Sequence, residues 1–376
     1  MLVKGGTVID PAQDLHAVRD VAIAAGRIAA LDSEIYEETA QTVIDAAGYL
    51  VTPGLIDLHV HVWWGVSHFG VEPDPTCLAR GVTTVYDTGS SGADTFPGFK
   101  KYVIDASATR IKAFLHVSSQ GLLTADVGEL TDLRYADVDR AVRMCEAYSD
   151  DIIGVKIRMS KGLVGENGRE GLKRACEIRD ATGLPLMVHP NASPVSFDDM
   201  MDALQPGDIV THCFHQSDTG ILDDSGAVRP AARRAAEDGI LFDVGHGQSS
   251  FVFDVAEAAM SQDFPPDTIS SDLHVYNLNG PVYDLVTTVS KFLFLGLSLE
   301  EAVEKVTAAP ARAMGVLGEI GTLRPGAKAD MAILELKAGS CVFTDTRERT
   351  RQAEQKLECV STIRAGRLYA PSAFDD

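Results

Sequence analysis

Six residues of this 376-residue chain could share one piece of metal chemistry. His59 and His61 lie one residue apart in the run VTPGLIDLHVHVWWG, from Val51 to Gly65. In a β-strand, residues i and i+2 face the same side, so the two imidazoles would aim at one point as ligands of one ion. Lys156, His189, His212 and Asp272 recur near the ends of later strand-like runs: DIIGVKIR, LPLMVHP, DIVTHC and DTISSD. A single strand-end histidine is more often a hydrogen-bonded structural residue. Four histidines, a lysine and an aspartate at successive strand ends favour a metal site, and such ligands suit zinc while tolerating manganese or iron.

Lys156 sits in an apolar strand, where an unpaired ammonium is costly. Two readings stay open: an inward lysine paired with a carboxylate, or a lysine carbamylated by CO2. Only the carbamate has acceptor oxygens, which could bridge two ions; the ammonium has none.

Elements must carry these residues to one place. From residue 53 to 318, strand-like runs alternate with longer helical segments, the pattern of parallel βα units. The strands are expected at 55–61, 82–89, 111–119, 151–158, 184–190, 208–213, 239–245 and 267–272. The last is the weakest by composition. Eight units point to an α/β fold, a (β/α)8 TIM barrel, whose chemistry gathers at the C-terminal strand ends. Residues 1–52 and 319–376 are turn-rich and β-like, and are expected to pair into one small composite β-sandwich domain. The stretch ERTRQAEQK is read as a solvated loop.

Composition narrows the class. Acidic residues outnumber basic ones 54 to 33, giving a net charge of −21, which argues against nonspecific nucleic-acid or anionic-membrane binding. The six cysteines are scattered with no CxxC, so small packing roles are expected. No apolar run approaches the roughly 20 residues needed to cross a bilayer, and MLVKGGTVID lacks a signal peptide's apolar segment. A cytoplasmic protein acting on a small molecule is expected.

Taken together, PGLIDLHVH, the strand-four lysine, the two later histidines, SDLH and the GTLRPGAKADMAIL ending resemble the amidohydrolase superfamily over nearly the whole chain. The resemblance implies a binuclear metal centre in a barrel flanked by a composite β domain. His59 and His61 would hold the more buried ion with Asp272, carbamylated Lys156 would bridge, and His189 and His212 would hold the second. Two ions about 3.5–4 Å apart can share a hydroxide near neutral pH and polarise a carbonyl. Asp272 could take the proton and pass it to the leaving group. A homo-oligomer is compatible with the resemblance.

GVKIRMSKG, FDVGHGQSSF and SDLH look like a subgroup labelled dihydroorotase-like or adenine-deaminase-like, some of whose members deacetylate N-acyl amino acids or cleave acetyl esters of hydroxy acids. Dihydroorotases commonly place an arginine two positions beyond the second histidine; here Trp63 stands there. Arg158 shares the face of Lys156 and could grip a substrate carboxylate or neutralise a structural acid. His246, between two glycines, could contact substrate or brace its loop. His274 and His116 are weaker pocket candidates. Trp63 and Trp64 could form an aromatic wall or pack in the core. His215 falls outside the completed ligand set, and Asp87 could support it from behind. The expected activity is removal of an acyl group, acetyl foremost, from a small carboxylate-bearing amide or ester. The alternatives are a cyclic-amide hydrolase and a noncatalytic barrel scaffold; lost ligands would mark the scaffold, yet all six positions are filled.

Overall fold

A computed structural model describes residues 1–124 and 126–370. The chain opens with β1 (Leu2–Asp10), β2 (Leu15–Ala24), β3 (Arg27–Asp32), β4 (Val43–Asp45) and β5 (Leu50–Pro53). It then lays down β6 (Leu55–Val60), β7 (Val82–Gly92), β8 (Arg110–His116), β9 (Ile152–Arg158), β10 (Leu186–His189), β11 (Ile209–Val210) and β12 (Leu241–Phe242). These seven pair side by side in chain order, all parallel. β6, LIDLHV, is buried at every position, as a parallel strand covered on both faces must be. The ring closes through residues 268–273, where Thr268 bridges Asp243 and Leu273 bridges Val60, both parallel. The architecture is an α/β (β/α)8 barrel.

The eighth segment departs from expectation: 267–272 makes one isolated bridge, with another just beyond it at Leu273, and no ladder. β11 and β12 are likewise shorter than the expected 208–213 and 239–245. The backbone gives the reason. His212 (φ +63°), Gly245 (φ +46°) and Asp272 (φ +48°) adopt left-handed conformations that end extended structure.

Chain-end strands β13 (Met331–Thr344), β14 (Thr350–Arg364) and β15 (Arg367–Tyr369) join the opening ones in an eight-stranded sheet. Its order is β15-β14-β13-β5-β1-β2-β3, with β4 beside β1. β13 runs antiparallel to β5, pairing Met331 with Pro53 and Leu334 with Leu50, which ties the two chain ends together. Val3, Val8 and Val21 meet Met331, Ile333 and Ile363 in a separate buried core. Residues 371–376 of the expected C-terminal segment lie outside the described residues. ERTRQAEQK is corrected: Thr350 onward is β14, paired with β13. Most of its polar side chains face solvent while the backbone bonds are made across the hairpin, so polarity there marks an exposed strand.

Candidate metal centre

His59 is the last residue but one of β6, and His61 follows the strand, its N–H bonded to Leu273 O (3.0 Å). Their Nε2 atoms lie 3.4 and 3.2 Å from Asp272 Oδ1. Lys156 rises from β9 onto an apolar floor, its Nζ 3.3 Å from Met187 Sδ and 3.5 Å from His59 Nε2. His212 stands 4.9 Å from His59 and 4.3 Å from His189 between ring centroids. All six sequence candidates therefore meet at the C-terminal ends of the barrel strands. They line one cleft of about 120 Å³ with Arg158, Phe69, His274, Gln248, Ser249 and Ser250.

Each imidazole is held from behind. His59 Nδ1 donates to Thr211 Oγ1 (2.8 Å), because that hydroxyl spends its own proton on Asp243 Oδ2 (2.8 Å). His212 Nδ1 donates to Gly245 O (2.6 Å). Ser160 Oγ donates to Asn191 O (2.7 Å) and so accepts from His189 Nε2 (3.3 Å). His61 Nδ1 pairs with Ser90 Oγ (3.0 Å) near the end of β7, where Asp87 accepts from the Ser90 and Val62 N–H groups. His59 and His212 thus present bare Nε2 atoms, and His189 a bare Nδ1.

The donor set fits a divalent cation. Among the described residues, ligand atoms of His59, His212 and Asp272 lie within 4.8 Å of one another. Asp272 Oδ1 is buried and receives no hydrogen bond. A carboxylate oxygen facing an imidazole lone pair is repulsive unless positive charge lies between them. Burial holds all four imidazoles well below the usual histidine range, so they are neutral, the state in which they ligate. Burial also raises Asp272 to about 6 and pulls Lys156 down to about 7. A larger cleft of about 300 Å³ between Leu241, Asp267, Lys305 and Arg312 has no comparable convergence.

The substrate candidates divide. His274 lines the cleft against Phe69 (4.7 Å between centroids). Its Nδ1 accepts the Tyr276 N–H (3.3 Å), leaving Nε2–H as a donor. Arg158 lines the cleft too, and it neutralises a structural acid, Glu129 (3.0 Å). Burial pushes Glu129 upward, but Arg158 and then His116 outweigh it and hold the carboxyl below its ordinary range.

Three expectations are corrected. His116 does not line the cleft: its Nδ1 accepts the Ser118 N–H (2.9 Å) and its Nε2 stands 3.0 Å from Glu129, an off-line contact that is electrostatic in character. Trp63 is buried in the core against Phe99, whereas Trp64 is exposed. His246 is fully buried and turned toward Lys291 (2.7 Å), because its Nδ1 is occupied by Gly247 O (2.9 Å). Sequence reasoning missed Phe69, Glu129, Gln248, Ser249 and Ser250, all in loops without periodicity. GHGQSS after a strand was the one available signal, and it drew attention to the histidine alone.

A barrel with this ligand layout at its strand ends has the design of metal-dependent hydrolases. The chain belongs to the amidohydrolase family, whose model matches residues 50–368. It is 39% identical over 351 residues to a deacetylase of Agrobacterium fabrum, covering 93% of this chain and 86% of that protein. A deacetylase of Enterococcus faecalis is 34% identical over 372 residues, 98% of each. Crystal structures of an adenine deaminase and of a dihydroorotase each superpose with a TM-score of 0.91 at 33% identity. Each alignment covers 98% of this chain, with 99% and 98% of the respective neighbours. Among the described residues no helix is long and apolar enough to cross a membrane.

Proposed function

We propose that this chain is a deacetylase, hydrolysing an acetyl amide or ester of a small carboxylate-bearing molecule. The observation that carries the proposal is Arg158 on the wall of the cleft that holds the His–Lys–Asp cluster. A guanidinium within the same small cleft as the ligands is placed to bind a carboxylate beside the reacting carbonyl. The deacetylase relatives support acetyl as the group removed.

His59, His61, His189, His212, Asp272 and carbamylated Lys156 would hold two divalent ions, zinc by ligand type, which supply Lewis acidity for water activation and carbonyl polarisation. Carbamylation is supported by what surrounds Lys156: among the described residues no carboxylate lies within 4.0 Å, and burial favours the neutral amine, the form that adds CO2. Asp272 takes the proton from the attacking water and returns it to the departing nitrogen or oxygen. Thr211, Ser90, Ser160 and Gly245 O keep the ligand nitrogens aimed. His274 Nε2–H and the Gln248 amide offer donors for the substrate's polar groups.

The dihydroorotase neighbour favours a second reading, cyclic-amide opening. Against it, Trp63 fills the position of the carboxylate-binding arginine common in dihydroorotases and is buried away from the cleft. The test is metal analysis of protein purified with bicarbonate, then acetate release from N-acetyl amino acids and O-acetyl hydroxy acids. About two ions per chain with acetate release are expected. Ring-opened product without acetate would overturn the deacetylase reading.

A further inference from the structure

Lys291 stands outside the chemistry described so far, yet it is among the most completely enclosed side chains, 1% exposed on the helix Leu285–Phe294. Among the described residues no carboxylate lies within 4.0 Å of it. Its Nζ instead reaches three neutral acceptors: His246 Nε2 (2.7 Å), Pro281 O (2.8 Å) and Thr344 O (2.8 Å). These belong to the loop after β12, the loop beyond Asp272, and the end of β13. His246 Nδ1 donates to Gly247 O, so its Nε2 can only accept, and three ammonium protons match three acceptors.

We propose that Lys291 is a positioning residue that ties the cleft wall carrying Gln248, Ser249 and Ser250 to the tip of the β13–β14 hairpin, so that the terminal sheet sets how this wall meets substrate. Both ends of that wall are held. At its start, His246 is fixed by Lys291, stacks on Phe251 (4.5 Å, 21°), and donates its backbone N–H to Ser270 O (3.1 Å). At its end, Phe251 O accepts from Thr346 N (3.0 Å) and Thr346 Oγ1 (2.6 Å), while Asp345 Oδ2 accepts the Phe253 N–H (3.1 Å). Thr344, Asp345 and Thr346 are consecutive residues of one hairpin tip. The strands that deliver it are 14 and 15 residues long, a reach of about 45 Å at the usual rise. Arg351 then locks β14 to the helix Phe253–Met260 through Asp254 (2.9 Å) and Glu257 (2.8 Å). Gln248 and Ser249 are exposed between two held ends, which places them to contact substrate without being part of the metal cluster.

The proposal rests on the cleft being the substrate site only for its kinetic test; its second readout needs no substrate. Lys291→Met keeps the aliphatic stem and removes all three donors. The expected result is a KM raised about tenfold for an acetylated substrate the wild type accepts, with kcat within about threefold and metal content unchanged. Hydrogen exchange should quicken at the amides of 246–253 and stay slow in β6 and β9. Thr346→Val, which removes the hydroxyl bond to Phe251 from the hairpin side, should shift KM and exchange the same way, and the double variant should be less than multiplicative. Wild-type exchange across 246–253 in both variants overturns the proposal, as does protection lost throughout the barrel. If Lys291→Met fails to fold, Thr346→Val alone decides by the same criteria. A wild type that releases no acetate refutes the deacetylase reading while leaving the exchange result to judge Lys291.

Discussion

Gly247 offers a test of the site that replaces no proposed ligand. It lies at φ +58°, and a Cβ placed on it would come 2.3 Å from Asp272 Oδ2. Real Cβ atoms essentially never approach closer than 3.0 Å and are at ease from 3.4 Å, so Gly247→Ala must move Asp272 or its own backbone by 0.7 to 1.1 Å. A shift near 1 Å in a catalytic group costs on the order of a hundredfold in rate, about 2.7 kcal/mol of barrier. The left-handed conformation adds about 1–2 kcal/mol of folding cost. Gly65→Ala separates the two effects: Gly65 has φ +78° with nothing within 4 Å, so it carries the backbone cost alone. Acetate-release kinetics, bound metal by elemental analysis and thermal melting are measured on both variants. Gly247→Ala should melt near Gly65→Ala but lose roughly a hundredfold in kcat/KM, with kcat bearing most of the loss. Equal kinetics in the two variants would refute the reasoning, because a displaced Asp272 must be felt in the rate if it carries the proton as proposed.

Three further outcomes follow from the same geometry. Lys156→Met removes the proposed bridging group while keeping the stem against Met187; bound metal should fall from about two ions to below one per chain by elemental analysis, and retention of both would sink the bridging role. Arg158→Met should raise KM about 10–150-fold for carboxylate substrates, the worth of a charge-assisted bond of about 1.5–3 kcal/mol, and lower stability by stranding Glu129; an equal loss with a carboxamide analogue would rule out carboxylate recognition. His215, buried and held down at about 4 against an ordinary 6.5, is neutral in the folded chain but protonates when unfolded. Its contribution is present above pH 6.5 and lost as pH falls toward 4, about 3 kcal/mol in all, so His215→Gln should flatten acid unfolding by up to one proton in that window; an unchanged slope would dismiss the assignment.

The barrel and the convergence of the six candidate ligands were legible because they rest on local rules. Strand periodicity brought His59 and His61 together, and the alternation of strands and helices placed Lys156, His189, His212 and Asp272 at one face. The cleft wall was not legible. Phe69 reaches the site from the loop after β6 and stacks on His61 at 5.2 Å, an encounter set by loop path. Glu129 lies 29 residues from its partner Arg158 in the chain, in a segment with no periodicity. His246 misled for an instructive reason: glycine neighbours permit close approach to a ligand, but they equally permit the turn that directs its ring toward Lys291. A lysine in LVTTVSKFLF, a buried helix with no other charged residue, was the sign that some buried acceptor had to meet it.

The weakest strand of the barrel also carries Asp272, the proposed proton carrier, and two buried carboxylates connect these facts. Residues 267–272 lack a ladder, so the seam between β12 and β6 must be held otherwise. Asp57 Oδ1 accepts the Ser271 N–H (3.0 Å), its other oxygen accepts the Ser271 hydroxyl, and the His59 N–H is also bonded to it (3.3 Å). Asp243 collects the hydroxyls of Thr211 (2.8 Å), Thr268 (2.7 Å) and Ser270 (2.6 Å). Burial raises both carboxyls, Asp57 to about 7, so the clamps carry an electrostatic cost that a regular ladder would avoid. What they provide in return is freedom for the backbone to leave the strand at Asp272 (φ +48°) and turn its carboxylate toward His59 and His61. A continuous eighth strand would satisfy its amides and keep Asp272 extended, with its carboxylate carried elsewhere. The polar run DTISSD is therefore weak as a strand for the same reason that it can end in a carboxylate aimed at the cluster: its hydroxyls are the partners that the two clamps require.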